Sequence, residues 1–256
     1  MTRLFVDYDK VDHIVTITLN RPERMNSLSA ELLRDLDSAW TAFFADDDAF
    51  VAIYTGTGRA FCAGKDLKEA AEAAARGVIL PASPRLAFNT PEQAKPIICA
   101  VNGYAMGGGF LDVLKCDLRV AADSAEFQLA EVPRGVLPGP ILEGLAGSLP
   151  DCLTTELALG GRITARRAYE MGLLNRVVPD GQLMSTARDY ASRIARLPPL
   201  TVRLTVEALR RGRLTTAPVV DPAWRSAADK ALANSSDTKE AILAFTEKRN
   251  PVYTDK

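Results

Sequence analysis

Ile97-Ile98-Cys99-Ala100-Val101-Asn102-Gly103-Tyr104-Ala105-Met106-Gly107-Gly108-Gly109 is the stretch that decides the architecture. The apolar, β-branched run Ile97 to Val101 predicts a buried strand, Asn102 to Gly108 a tight connection, and Gly109 to Lys115 a helix. The same form occurs upstream. Val51 to Tyr54 predicts a strand that empties into Thr55-Gly56-Thr57-Gly58-Arg59-Ala60-Phe61-Cys62-Ala63-Gly64-Lys65-Asp66-Leu67, and Asp66 to Ala75 (DLKEAAEAAA) is built of strong helix formers. Junctions of this kind, leaving a strand and entering a helix, are where α/β folds place ligands.

The glycines have a chemical reading. Gly107-Gly108-Gly109 at a helix start leaves main-chain N–H groups unhindered by Cβ, and the positive end of the helix dipole adds to their pull on anionic oxygen. The turn Ala63-Gly64-Lys65-Asp66 can supply a second donor. Two N–H groups converging on one oxygen stabilise an enolate or a tetrahedral oxyanion, and each such donor is worth roughly 2.7–4 kcal/mol in the transition state. A lone glycine cluster is more often just a tight turn. A phosphate cradle fits less well: neither GxGxxG nor a Walker A pattern is present, and Gly64-Lys65 is followed by Asp66 where Ser or Thr should hold magnesium. No GxSxG elbow occurs either.

Working outward, Phe5 to Asp9 and Ile14 to Leu19 predict a hairpin around Lys10-Val11-Asp12. A helix from about Ser29 carries Leu32, Leu33, Leu36, Trp40, Phe43 and Phe44 on one stripe. Strands are predicted near Leu118 to Ala121 and Phe127 to Leu129. Beyond them helices fit Glu143 to Leu149, Cys152 to Leu159, Ala165 to Met171, Leu183 to Leu197, Thr201 to Arg210, Pro222 to Ala233 and Ser236 to Glu247. The expected division is a β-rich core over 1–195 and a helical region over 196–256 used for assembly.

Composition removes several function classes. The 256 residues are 47% hydrophobic and 25% charged, enough to bury a full core and too apolar for a disordered chain. Lys+Arg total 31 against 32 Asp+Glu, so a net charge of -1 provides no field for nucleic acid or an anionic membrane. The single histidine, His13, sits at a strand entrance and reads as a surface or turn residue; unless it is itself catalytic, Ser-His-Asp and Cys-His systems are excluded, and so is a multi-histidine metal site. Catalysis, if present, then uses carboxylates, backbone dipoles, Tyr, Lys or Ser. Cys62, Cys99, Cys116 and Cys152 form no CxxC pair and read as reduced, mostly buried thiols. Met1 to Lys10 holds no basic stretch followed by an apolar core, and no run of about 18 apolar residues occurs, so the expectation is a soluble, cytoplasmic protein.

Phe61 to Leu67 and Ala100 to Gly109, the latter continuing to Cys116-Asp117, together resemble the paired signatures of the crotonase superfamily, the enoyl-CoA hydratases and isomerases. Leu19-Asn20-Arg21-Pro22 with Asn26 and Leu28, Pro138-Gly139, Gly160-Gly161-Arg162 through Ala168, Gly172-Leu173, Val177-Val178-Pro179 and the tail Phe245 to Arg249 extend the match along the chain. The resemblance implies an α/β fold made of a spiral of ββα units with a helical C-terminal trimerisation region, assembled as a trimer or hexamer. It implies an acyl-CoA substrate whose thioester carbonyl is held by the N–H groups of Lys65 and Gly108, with coenzyme A entering as part of the substrate and no prosthetic group or metal. Coenzyme A would lie along Arg24, Met25, Ala63, Lys65, Asp66 and Leu67, with Lys248 of a neighbouring subunit near its phosphates. Without the resemblance, Glu247-Lys248-Arg249 reads as a solvated helix end.

One position departs from the family pattern. Family hydratases use two glutamates. The second aligns with Glu131, but the first aligns with Leu111. A single carboxylate suffices to move one proton between two carbons of an enolate, so double-bond isomerisation is the leading expectation. The alternatives are an enoyl-CoA hydratase or thioester hydrolase in which Glu131 works with water and the lost glutamate is replaced by substrate groups, Asp112 or an ordered water, and a catalytically silent acyl-CoA-binding scaffold. Asp112, next to the vacancy, is turned about 100 degrees away around the helix and reads as a solvated surface group. Glu143 reads as a first-turn charge. Acyl-chain specificity is expected from Arg76 to Pro91, the Leu111 pocket and the C-terminal helices.

Overall fold

The computed structural model describes residues 4–76, 90, 92–139, 142, 145, 149–214, 226, 230, 233–234, 236–249 and 251. Apart from Leu145, Leu149, Ser226, Lys230 and Ala233, the helices expected over Glu143 to Leu149 and Pro222 to Ala233, with most of the Arg76 to Pro91 connection, lie outside the described residues, and so does Glu143. The chain runs β1 (Val6–Val11), β2 (Ile14–Leu19), α1 (Ala30–Ala45), β3 (Val51–Gly56), β4 (Ala60–Cys62), α2 (Leu67–Ala75), β5 (Ile97–Val101), β6 (Tyr104–Met106), α3 (Gly108–Lys115), β7 (Leu118–Ala122) and β8 (Glu126–Gln128). After β8 come α4 (Asp151–Ala158), β9 (Arg162–Thr164), α5 (Ala165–Glu170), β10 (Arg176–Val178), α6 (Leu183–Ala195), α7 (Pro199–Leu214) and α8 (Ser236–Glu247).

Two sheets share these strands. The larger has the order β1-β2-β3-β5-β7-β10, antiparallel between β1 and β2 and parallel from β2 onward. The smaller has the order β4-β6-β8-β9, with β4, β6 and β8 parallel. Each pass of the chain lays one strand in the large sheet and the next in the small one: β3 then β4, β5 then β6, β7 then β8. Helices α2 and α3 close the first two passes, which makes the fold a spiral of ββα units.

Period-2 alternation assigns the faces of the large sheet. Ala52, Tyr54, Ile97, Cys99 and Val101 enter the main core against α1, while Val51, Ile53, Ile98, Ala100 and Val120 meet Leu183, Ala187 and Ala191 of α6. Both faces are covered, so these parallel strands read as continuous apolar runs. Helix α1 begins where Ser29 accepts from the Leu32 N–H, and it buries Leu32, Leu33, Leu36, Ala39, Trp40 and Phe43. The hairpin turn falls at Asp12-His13 rather than around Lys10-Val11-Asp12, because β1 pairs through Val11↔Ile14 and Asp12 takes a left-handed φ of 54°. His13 stacks on Phe50, 4.1 Å between ring centroids, and its Nδ1 lies 3.0 Å from Asp48.

The small sheet corrects the sequence reading most. Ala60–Cys62, Tyr104–Met106 and Arg162–Thr164, which the sequence pattern reads as connection or helix-flanking segments, are strands. With three residues each they are too short to display a period.

Helix α7 is anchored by Arg210, 3% exposed, which reaches Asp117 at 2.6 Å and the carbonyls of Gln93 and Lys95. The same region exposes Leu200, Leu204, Ile242, Leu243 and Phe245. Among the described residues no helix is long and apolar enough to cross a membrane.

Candidate active site

Three neighbouring parallel strands of the small sheet end at one place. Pairing of Cys62 with Ala105 sets the exit of β4 beside that of β6, and pairing of Met106 with Gln128 sets the exit of β6 beside that of β8. The residues that follow are therefore brought together: Gly64-Lys65 after β4, Gly107-Gly108 after β6, and Glu131 after β8. The Gly107 N–H donates to the Gln128 carbonyl at 2.9 Å and locks the second and third of these ends.

Glycine is required at the contacts between them. Gly107 adopts φ 51° and ψ -119°, and a Cβ there would lie 2.6 Å from Glu131 Oε1. Gly64 has φ +82°, and a Cβ there would lie 2.7 Å from the Met106 carbonyl oxygen and 3.2 Å from the Gly108 nitrogen. The two turns are thus in van der Waals contact. Gly108 opens α3, whose first-turn N–H groups have no intrahelical acceptor, and neither the Lys65 nor the Gly108 N–H meets an acceptor among the described residues.

A second layer holds the Lys65 turn in shape. Leu28 N–H donates to the Gly64 carbonyl at 2.8 Å, Asp66 N–H to Leu28 at 3.2 Å, and Ala63 N–H to Met25 at 3.0 Å. This lays Met25, left-handed at φ 52°, and the adjoining Arg24 alongside Ala63. Asn26 ties the segment down through Nδ2 to the carbonyl of Ala60 at 2.8 Å. The Asp66 side chain takes Arg21 at 2.7 Å, the Ser27 hydroxyl at 3.2 Å and the N–H groups of Lys68 and Glu69 at 3.1 Å. Burial pushes the Asp66 carboxyl up, but Arg21 and these donors leave it below the usual carboxylate range. Its side chain is engaged in fixing the turn, so what this segment offers a ligand is main chain, the exposed Lys65 and the exposed Leu67. Lys248 ends α8 in a left-handed conformation, φ 56°, and no hydrogen bond or ion pair among the described residues joins it to this cluster.

Glu131 stands immediately before a 3-10 turn, Val132–Arg134. Its Oε2 is buried without a hydrogen-bond partner among the described residues. Burial raises its affinity for a proton, opposed by main-chain N–H groups and by Arg134. A carboxyl moved toward neutral pH and open to a new hydrogen-bond partner is suited to taking up a proton and returning it.

Leu111 is half-buried and packs against the core, while Asp112 is not the solvated group the sequence suggested. It is 4% exposed and accepts from the Tyr54 hydroxyl at 3.2 Å, on a side of α3 that faces Tyr54, Cys62 and Cys99. Burial pushes its carboxyl up to about 6, against the opposing influence of Lys115 and Tyr54. The folded carboxyl binds its proton more tightly than the unfolded one, so Asp112 destabilises the fold increasingly from about pH 4 to pH 6 and fully above. Asp112→Asn retains an acceptor for Tyr54 and removes the buried charge. It should stabilise the protein by about 3 kcal/mol at pH 8, a rise in Tm of roughly 6–10 °C, and by little at pH 4. Thermal unfolding at the two pH values checks this, and an equal shift at both would contradict it.

Among the described residues no group of three or more His, Cys, Asp or Glu side chains is placed to hold a metal ion. Cys62, Cys99 and Cys116 are buried free thiols and Cys152 is an exposed one.

Comparison with known proteins bears on the family and the fold. The family profile described as Enoyl-CoA hydratase/isomerase matches residues 9–256. The mevalonyl-coenzyme A hydratase of Aspergillus fumigatus is 40% identical over 94% of this chain and 91% of its own length. The 2,3-dehydroadipyl-CoA hydratase of Escherichia coli is 34% identical over 99% of both. Among solved structures, the carnitinyl-CoA hydratase from Mycobacterium avium superposes with a TM-score of 0.81 at 33% identity, covering 100% of both chains. The profile match over nearly the whole chain and these relatives show that the chain belongs to the enoyl-CoA hydratase/isomerase family.

Proposed function

We propose that this protein hydrates the conjugated double bond of an enoyl-CoA thioester, or runs the reverse dehydration, with Glu131 as the one carboxylate that handles the proton. The observation that carries the reading is the meeting of the Lys65 turn, the Gly108 turn and Glu131 at adjacent strand ends. Relatives named as hydratases of mevalonyl-CoA, benzylidenesuccinyl-CoA and dehydroadipyl-CoA support hydration over the isomerisation first suggested by Leu111.

The chemistry closes with a single carboxylate. The thioester oxygen accepts from the Lys65 and Gly108 N–H groups. As a water oxygen bonds to Cβ, Glu131 takes one of its protons and the π electrons move onto the carbonyl oxygen as an enolate. Glu131 then returns that proton to Cα, the carbonyl re-forms, and one water has been added. The base recovers its starting state without a second acid. In this reading Arg24, Met25, Ala63 and Leu67 line the coenzyme A path and Lys248 meets its phosphates from a neighbouring subunit of a trimer or hexamer. The exposed apolar side chains of α7 and α8 are suited to such self-association.

Leu111 supports a second reading, double-bond isomerisation, in which Glu131 carries a proton between two carbons. A panel of enoyl-CoA thioesters turned over in deuterium oxide and read by mass spectrometry separates the two. Hydration yields a product heavier by one deuterated water with one deuteron at Cα. Deuterium exchange and a shifted double bond with no added water would give the reaction to the isomerase reading, and binding without turnover across the panel would leave a scaffold.

A further inference from the structure

The 3-10 turn after Glu131 is held from outside by the C-terminal helix. Gly135, left-handed at φ +67°, leaves room for Thr238 of α8, whose Cα would lie 2.9 Å from a Cβ at that glycine, and the Thr238 hydroxyl donates to the Gly135 carbonyl at 3.4 Å. About two turns further along α8, the Phe245 ring carries the Arg134 guanidinium, 4.8 Å from its centroid. Arg134 Nη1 donates to the Ala130 carbonyl at 2.8 Å, while its Nε is buried and has no hydrogen-bond partner among the described residues. A guanidinium held on an aromatic face and tied to the residue before Glu131 is fixed in orientation, and that fixity gives a charge a directed effect on its neighbour.

We propose that Arg134 is a positioning residue for Glu131, and that α8, through the Phe245 ring, holds the guanidinium where it governs the charge state of the catalytic carboxyl. The inference rests on Glu131 being the proton carrier.

The surroundings leave Arg134 as the cation that acts on Glu131. Burial alone drives the carboxyl toward its neutral form; Arg134 opposes this, and burial in turn weakens the hold of Arg134 on its own proton. Charged groups on the packed elements have other partners. Glu240 and Glu247 of α8 are both held by Arg249, Asp66 by Arg21, Glu126 at the base of β8 by Arg162, and Asp112 faces Tyr54 on the buried side of α3. The Lys239, Lys248 and Lys65 side chains are exposed. A half-buried carboxyl that must give up its proton before it can accept one from water needs a nearby positive charge that does not bond to it directly, because a direct ion pair would quench its basicity.

The test uses the full chain with Arg134→Met, which keeps the apolar stem, Arg134→Lys, which keeps the charge, and Phe245→Ala, which removes the platform. Two readouts are taken: the acid limb of the kcat/KM against pH profile, and the titration of the Glu131 carboxyl by 13C NMR, assigned with Glu131→Gln. Arg134→Met should move both upward by about 0.5–1 pH unit, Phe245→Ala should move them in the same direction by less, and Arg134→Lys should restore most of the shift. Coincidence of the Arg134→Met titration with that of the unaltered protein overturns the proposal, as does Arg134→Lys behaving like Arg134→Met. A purely structural role would lower Tm in all three and move neither titration. Because the NMR titration needs no turnover, a protein that fails every hydration assay but shows the carboxyl shift would sink the hydratase reading while the hold of Arg134 on the Glu131 carboxyl stands.

Discussion

Glu131→Gln is expected to lower kcat by about 10³-fold or more while the thioester still binds within a few-fold of the unaltered affinity. The two side chains share their shape, so the amide oxygen can occupy the place of Oε1 beside Gly107 and the neighbouring turns need not move. What is lost is a group that accepts a proton from water and returns it to carbon, and neither step can be taken over by the apolar Leu111 or by Asp112, which faces Tyr54. Binding persists because the main-chain donors at Lys65 and Gly108 belong to other strands. Burial penalises the charged form of Glu131, so the neutral variant should also be at least as stable to heat as the parent at neutral pH. Single-turnover kinetics with a chromophoric enoyl-CoA, together with a dissociation constant from titration, separate the two effects. A variant that keeps a tenth of the activity would remove Glu131 from the chemistry.

The parts of this site differ in how plainly the residues announce them. The glycine turns are legible because Gly64 and Gly107 to Gly109 each follow an apolar strand and precede a helix former, and a positive φ or a close approach needs that residue type. Glu131 is legible only through family resemblance: Phe127-Gln128-Leu129-Ala130-Glu131 looks like any strand end followed by a surface carboxylate. The small sheet that brings Glu131 to the glycines is not legible, because three-residue strands such as Ala60–Cys62 leave no period, and their register is set by contacts such as Gly103 against the Arg59 carbonyl and Gly109 against Cys62. Asp112 shows a different failure. Phe110, Leu111, Val113 and Leu114 surround it, and a helix apolar on all sides is a buried helix, so the local pattern carries the burial of Asp112 even though carboxylates as a class face water. The pairing of Arg134 with Phe245 spans more than a hundred residues, and no local pattern encodes it.

Gly64→Ala tests the oxyanion geometry directly. An added Cβ would meet the Met106 carbonyl oxygen at 2.7 Å and the Gly108 nitrogen at 3.2 Å, both main-chain atoms that cannot swing aside as a side-chain tip does. Relief requires the β4 and β6 turns to separate, which carries the Gly108 N–H away from the Lys65 N–H. Since one misplaced donor removes roughly 2.7–4 kcal/mol of transition-state stabilisation, kcat/KM should fall by about 10²–10³-fold. Glu131 is untouched, so the acid limb of the pH profile should stay where it was, in contrast to the Arg134 variants. Backbone strain adds a separate stability cost, since alanine at a left-handed φ is unfavourable by about 1–3 kcal/mol. Gly172 supplies the control. It has the same φ of +82° but nothing within 4 Å of its added Cβ, so Gly172→Ala imposes the strain without the crowding. It should lose Tm and retain its turnover number. If Gly64→Ala and Gly172→Ala lose activity to the same degree, the effect is one of general strain, and the two main-chain donors do not hold the developing negative charge.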